Sequence, residues 1–200
     1  MCDHAGGVAP VMRLLHTDRF ADSGQRYGGY AYNDALAVAG EQQIPVVRPA
    51  SGSVWRTDDG ISLTFLGPTL PLIAGSRNDI NNNSIVCMLE YKSFRMLFTG
   101  DAGAEAEQRI LSEGRDLHAD VLKVGHHGSA YSSIPQFIAA VHPRYVIISV
   151  GRHNMFGHPA PSTLETLERY GAQVYRTDQI GAVTISSDGR QVDITSMLAP

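Results

Sequence analysis

The chain has 200 residues, 43% of them apolar, which suits one domain with a sizeable core. Sixteen basic residues against twenty acidic ones give a net charge of −4 with no Lys/Arg run, which excludes adhesion to nucleic acid by bulk positive charge; phosphate recognition must be local or supplied by metal. Two cysteines exclude a disulfide framework, no run reaches the length of a membrane span, and the first twenty residues lack a signal-peptide pattern, so by its own signals the chain is expected to be soluble and unexported.

The chain opens "MCDHAGG", and after the Gly-Gly turn Val11, Leu14 and Leu15 are spaced as on a short amphipathic helix. Residues 19–33 are polar and glycine-rich and predict a loop. A helix is expected from Asp34, whose carboxylate is suited to cap it. Short strands follow in "IPVVRP", "SVWRT" and "ISLTFLG", the last after the turn signal Asp59-Gly60. A long loop, "PTLPLIAGSRNDINNN", leads to a hairpin of "SIVCMLEY" and "FRMLFTG" around "KS". Cys87 falls inside that apolar run and reads as a small buried hydrophobe.

From residue 101 the rhythm changes. Helix "AEAEQRILSEG" precedes strand "DVLKVG", helix "IPQFIAAV", strand "RYVIISVG", helix "PSTLETLERYG" and strand "AQVYRT"; "GAVTISS" and "QVDITSM" close the chain as a strand pair. Strands first and β-α alternation afterwards predict a layered α/β domain with helices on the outer faces of its sheets, over residues 1–200 without a linker.

Three of these boundaries carry chemistry. In "MLFTGDAGAEAE" a strand runs into Asp101, which reads on its own as a cap for the next helix and, functionally, as a rigid carboxylate able to bridge two cations. In "DVLKVGHHGS" a buried strand delivers His126 and His127 to a turn that Gly128 allows; in extended backbone the two would point opposite ways, one to a site and one to a packing partner. Lys123, just before them, reads as a strand residue with a solvated head. "SVGRHNMFGHPAPS" adds His153, which reads as exposed, and His158, held extended before Pro159. Asp3 and His4 could offer one carboxylate oxygen and one imidazole nitrogen beside small residues.

"NNNSIVCMLEYKSFRMLFTGDA", "ADVLKVGHHGS" and "VIISVGRHNMFGHP", in this order, with "RTDQIGAVTI" later, resemble the C-terminal metallo-β-lactamase-fold domain of bacterial DNA-internalisation competence proteins, which form the membrane channel of natural transformation. The resemblance implies a four-layer αβ/βα sandwich. Only the last Asp-His of the family's first motif is present, as Asp3 and His4, so the resemblance implies a domain lacking its first strands and ligands. It assigns metal ligation to Asp3, His4, Asp101 and His126, with His127 as the alternative to His126. Asp3 and His158 are the implied catalytic residues, His158 giving a proton to the leaving oxygen. Asn83, in "INNNS", stands in for a ligand histidine as a weaker oxygen donor, and His127 and Ser129 are implied around the ligands or substrate.

The implied chemistry is hydrolysis of DNA phosphodiester bonds by a hydroxide formed on a divalent metal, zinc or manganese. Four donors suffice for one well-held ion, where the intact family site holds two. The rival readings are a catalytically silent remnant that docks to DNA or to a channel, and a stand-alone hydrolase of small phosphoesters or lactams. The family domain faces the outside of the cytoplasmic membrane as part of a larger protein, and nothing in these residues targets the chain there.

Overall fold

Small apolar residues at helical spacing build the first of two units, Met1–Pro49. The computed structural model describes residues 2–198, with side chains from residue 4 onward. This unit contains α1 (Cys2–Ala5), α2 (Val8–Leu14), β1 (Phe20–Ala21), α3 (Tyr30–Glu41) and β2 (Val46–Val47), with β1 and β2 paired in parallel. Ala35, Val38 and Ala39 lie at i, i+3 and i+4 on α3 and pack with Ala9, Met12 and Ile44.

Two expectations need correcting here. The helix around residue 11 forms, but Val11, Leu14 and Leu15 are exposed, and Ala9 and Met12 turn inward because small residues let α2 approach α3. The second helix begins at Tyr30 behind Gly29 rather than at Asp34. Asp34 lies within it and pairs with Arg13 of α2 at 2.7 Å, a tertiary contact in place of a cap.

The second unit, Ala50–Pro200, is built on β3 (Val54–Arg56), β4 (Ile61–Gly67), β5 (Val86–Tyr91), β6 (Phe94–Phe98), β7 (Val121–Lys123), β8 (Tyr145–Ile148) and β9 (Gln173–Arg176). These form one seven-stranded sheet in which spatial order follows chain order. Pairing is antiparallel from β3 to β6 and parallel from β6 to β9. A short α4 (Asp79–Asn82) interrupts the predicted long loop, and α5 (Ala104–Ser112), α6 (Pro135–Val141) and α7 (Pro161–Arg169) make the crossovers. Pro135 and Pro161 sit in the first turns of α6 and α7, where no backbone donor is lost. After α8 (Thr177–Ile180), β10 (Val183–Ser187) and β11 (Val192–Ser196) form an antiparallel ribbon.

Alternation along the strands assigns each face. Met88, Leu97, Leu122, Val146 and Ile148 turn to one side, where they meet Ile110 of α5, Phe137, Ile138 and Val141 of α6, and Leu167 of α7. Phe94, Val121 and Ile147 turn to the other, where Val183, Ile185 and Val192 of the ribbon cover them. The layers of this unit are therefore helices, sheet and ribbon, a mixed α/β arrangement of the class the sequence predicts. Full burial of a residue such as Leu97 contributes about 1.5–3 kcal/mol. Among the described residues no helix is long and apolar enough to cross a membrane.

Candidate metal centre

Parallel pairing brings the carboxyl ends of β6, β7 and β8 to one edge of the sheet, the place where open α/β sheets collect their functional groups. Asp101 follows β6, His126 and His127 follow β7, and His158 lies in the connection after β8. Because β5 runs antiparallel to β6, α4 and the asparagines leading into β5 reach the same edge. Backbone hydrogen bonds tie these connections together: the amide of His126 donates to Gly100 O at 3.1 Å, and the Thr99 hydroxyl to Lys123 O at 2.7 Å. Asp101 is only 8% exposed, and its amide donates to Ser84 Oγ. It does not cap α5, whose N-cap is Gly103; the Gly103 amide donates to Asn82 Oδ1.

The histidine pair departs from the extended backbone expected of it. Gly125–Gly128 form a 3-10 turn in which His126 and His127 both have positive φ, 49° and 56°. Side-chain direction is therefore set by tertiary partners rather than by strand alternation. His127 places Nδ1 2.7 Å from Ser149 O and Nε2 3.5 Å from Asp101 Oδ1. A carbonyl only accepts, so Nδ1 carries the proton, and in a neutral ring Nε2 presents its lone pair to the carboxylate. Two acceptors that close need a positive charge between them, either a second ring proton or a cation. Tetrahedral donors with bonds of about 2.1 Å stand about 3.4 Å apart, so the pair fits one edge of a divalent metal's shell. The backbone carbonyl behind a ligating imidazole is the usual support for that role.

His126 faces a different partner, Asn81, whose amide nitrogen is 3.1 Å from His126 Nε2. Its ring centroid lies 5.6 Å from that of His158. Asn154 fixes His158 by accepting from its backbone amide and donating to its carbonyl, both at 2.8 Å. Burial, then the neighbouring charges of His126 and His127, lower the His158 pKa, with Asp101 opposing. Gly128, at φ +80°, lets the two histidine connections touch: a Cβ there would lie 2.7 Å from Pro159 Cβ.

His4 is exposed at the end of α1 in the first unit, and the Asp3 side chain lies outside the described residues. Asn83 directs its amide to the backbone of Ile73, accepting at 2.8 Å and donating at 2.9 Å, so it is Asn81 that reaches a histidine. Ser129 is buried and organises the turn: its carbonyl accepts from the Thr163 hydroxyl, and its own hydroxyl from the Tyr131 amide. His153 is exposed, and Lys123 donates to Val124 O.

Sequence reasoning missed Asn81 and Glu107. Glu107, buried on α5, accepts from the amides of Ser133 and Ile134 at 2.6 and 2.9 Å and so holds the strap that follows the histidine turn. Burial pushes its carboxyl up to about 7 against those two hydrogen bonds. A Glu inside an amphipathic helix gives no warning of this; its spacing with Ala106 and Ile110 on the buried face was the available signal.

No family model matches the chain. It is 35% identical over 148 residues to ComE operon protein 3 of Bacillus subtilis, covering 74% of this chain and 18% of that protein. Competence protein ComA of Neisseria gonorrhoeae is 29% identical over 185 residues, covering 90% of this chain and 26% of that one. A solved Thermotoga maritima structure assigned to the Zn-dependent hydrolases of the metallo-β-lactamase superfamily aligns at 12% identity with a TM-score of 0.37, covering 78% of this chain and 70% of that one. The chain thus spans about a fifth to a quarter of the length of these curated relatives, and its similarity is to that part of each.

Proposed function

We propose that the chain is a metal-dependent hydrolase domain of the metallo-β-lactamase type that cleaves phosphodiester bonds, with DNA as its substrate. The observation that carries this reading is the buried carboxylate of Asp101 facing His127 Nε2 at 3.5 Å, a separation suited to two ligands of one ion. The name of the relative ComA, a competence protein, supports DNA as the substrate. Asp101 and His127 would hold the cation, zinc or manganese by donor type. When bound, a divalent ion supplies Lewis acidity and lowers the pKa of a coordinated water.

The other residues orient and move protons. Ser149 O fixes the tautomer and direction of His127. Asn81 orients His126, leaving His127 as the ligand of the pair. Burial lowers the His158 pKa and keeps its ring neutral near neutral pH. A neutral imidazole suits taking a proton at a ring nitrogen from the attacking water, in place of the leaving-group role implied by the resemblance. The ligand roles of Asp3 and His4 implied by the resemblance are tested by Asp3→Asn and His4→Ala, each of which should weaken metal binding; unchanged binding removes that residue from the ligand set.

The deciding experiment measures Mn²⁺ and Zn²⁺ binding by calorimetry, together with hydrolysis of bis(4-nitrophenyl) phosphate and of single- and double-stranded DNA. Metal-dependent cleavage that EDTA and Asp101→Ala both abolish is the expected result. A folded chain that binds metal and cleaves no diester would replace the hydrolase with a binding module.

A further inference from the structure

We propose that Phe156 is a stacking platform for an unpaired nucleobase and makes this site prefer single-stranded over duplex nucleic acid. The proposal rests on the phosphodiesterase reading above. Phe156 is 78% exposed at the tip of the connection after β8, beside Met155 at 93%, yet the tip is held in a defined shape. Asn154 donates to both Gly151 O and His158 O, bracketing the two apolar residues between fixed points. Met155 and Phe156 together form a contiguous apolar surface on a braced loop beside polar groups, the kind of surface that marks a binding site.

Its orientation indicates the occupant. The Phe156 ring is stacked on His158, with an interplanar angle of 20° and centroids 5.9 Å apart, leaving the outer face open for another flat ring. The ring itself adjoins the histidine of the proposed reaction, so a base stacked on its outer face would hold the adjoining phosphodiester on the side of His158, Asp101 and His127. A second aromatic, Tyr131, is 54% exposed and carries the Arg77 guanidinium 3.9 Å above its ring. Tyr131 is tied by its carbonyl to the Ala104 amide, on the Asp101 side of the site. Aromatic faces with one placed cation are the recognition chemistry of single strands, whose bases are free to stack; bases inside a duplex are not. A net charge of −4 fits the same partner, because affinity must then come from stacking and metal rather than from a basic surface.

The test is fluorescence anisotropy with Mn²⁺ and a cleavage-resistant phosphorothioate oligonucleotide in three forms: single-stranded, the same strand with abasic sites, and duplex. Phe156→Ala should weaken the base-bearing single strand about tenfold, the scale of one lost base stack. Phe156→Trp should retain that binding, and the abasic strand and duplex should bind wild type and Phe156→Ala alike. Equal single-strand binding by Phe156→Ala and wild type, or an equal loss on the abasic strand, overturns the proposal. Hydrolysis of bis(4-nitrophenyl) phosphate by the wild type reports separately on the phosphodiesterase reading. A base-specific loss without hydrolysis would keep the platform and remove the chemistry, and hydrolysis with no base-specific loss would do the reverse.

Discussion

The two halves of the seven-stranded sheet differ in what their connections can hold. From β3 to β6 the strands pair antiparallel, and β5 turns into β6 through Lys92 and Ser93 alone. From β6 to β9 they pair in parallel, so each strand must return over a helix and every strand ends on the same edge. Asp101, both turn histidines and His158 come from those ends, whereas the antiparallel half contributes Asn81 only by entering β5 at that edge. The proposed site is in this sense a by-product of strand direction, and its loss should follow the parallel half alone.

The largest expected effect tests that division at the metal. His127→Ala should lower divalent-metal affinity more than about 100-fold by calorimetry, beyond the effect of removing a residue that merely supports a ligand. His126→Ala, whose ring faces Asn81, should lower it about tenfold or less. Equal losses would show that the turn presents both rings to the ion.

A second effect concerns how the crossovers brace the edge. Glu107→Gln keeps the shape but gives one acceptor oxygen for the two amides of Ser133 and Ile134, and should cost about 1–3 kcal/mol in denaturant unfolding. The folded carboxyl titrates near 7 against an ordinary 4.5, so the folded chain holds an extra proton between those values. Its stabilising contribution is complete below the lower value and is lost as pH rises through the upper one. The advantage of wild type over Glu107→Gln should therefore shrink with rising pH across this window, by about 3 kcal/mol at most. A pH-independent advantage would mean that the carboxyl stays charged in the folded state.

Gly128→Ala should cost about 1–3 kcal/mol, because the added methyl meets Pro159 at a backbone position of positive φ. Metal affinity should fall with it, since the two histidine connections are forced apart. The smallest effect belongs to the antiparallel half. Trp55→Leu on β3 loses an edge-to-face contact with Phe65 at 4.8 Å, worth about 1 kcal/mol, and should leave metal affinity unchanged. A fall in metal affinity there would break the comparison.

The sequence made the parallel half legible because each strand there is a short apolar run followed by glycine and a helix pattern. It singled out Asp101 and the histidine turn for the same reason, and both lie at the strand ends that share one edge of the sheet. What it could not show depends on partners distant in the chain. His127 is aimed by Ser149 O, and the alternation argument for the pair failed because both residues have left-handed backbone. Three consecutive asparagines look alike in sequence, yet one reaches His126, one holds the Gly103 amide and one clasps Ile73. On α2 the larger apolar residues suggested the inner face, while the small Ala9 and flexible Met12 packed better against the alanines of α3.

The match between chain order and strand order in the sheet also bears on how this unit folds. The β5–β6 hairpin closes over two residues, but β6 meets β7 only after residues 99–120 have looped round, a slower event with a larger entropy of closure. As synthesis proceeds, the sheet can lengthen by one strand at a time along a single growing edge, with no earlier pair having to open. Hydrogen exchange should accordingly find the hairpin protected before the histidine turn in pulse-labelled refolding, and the site assembled only once the connection carrying His158 has docked.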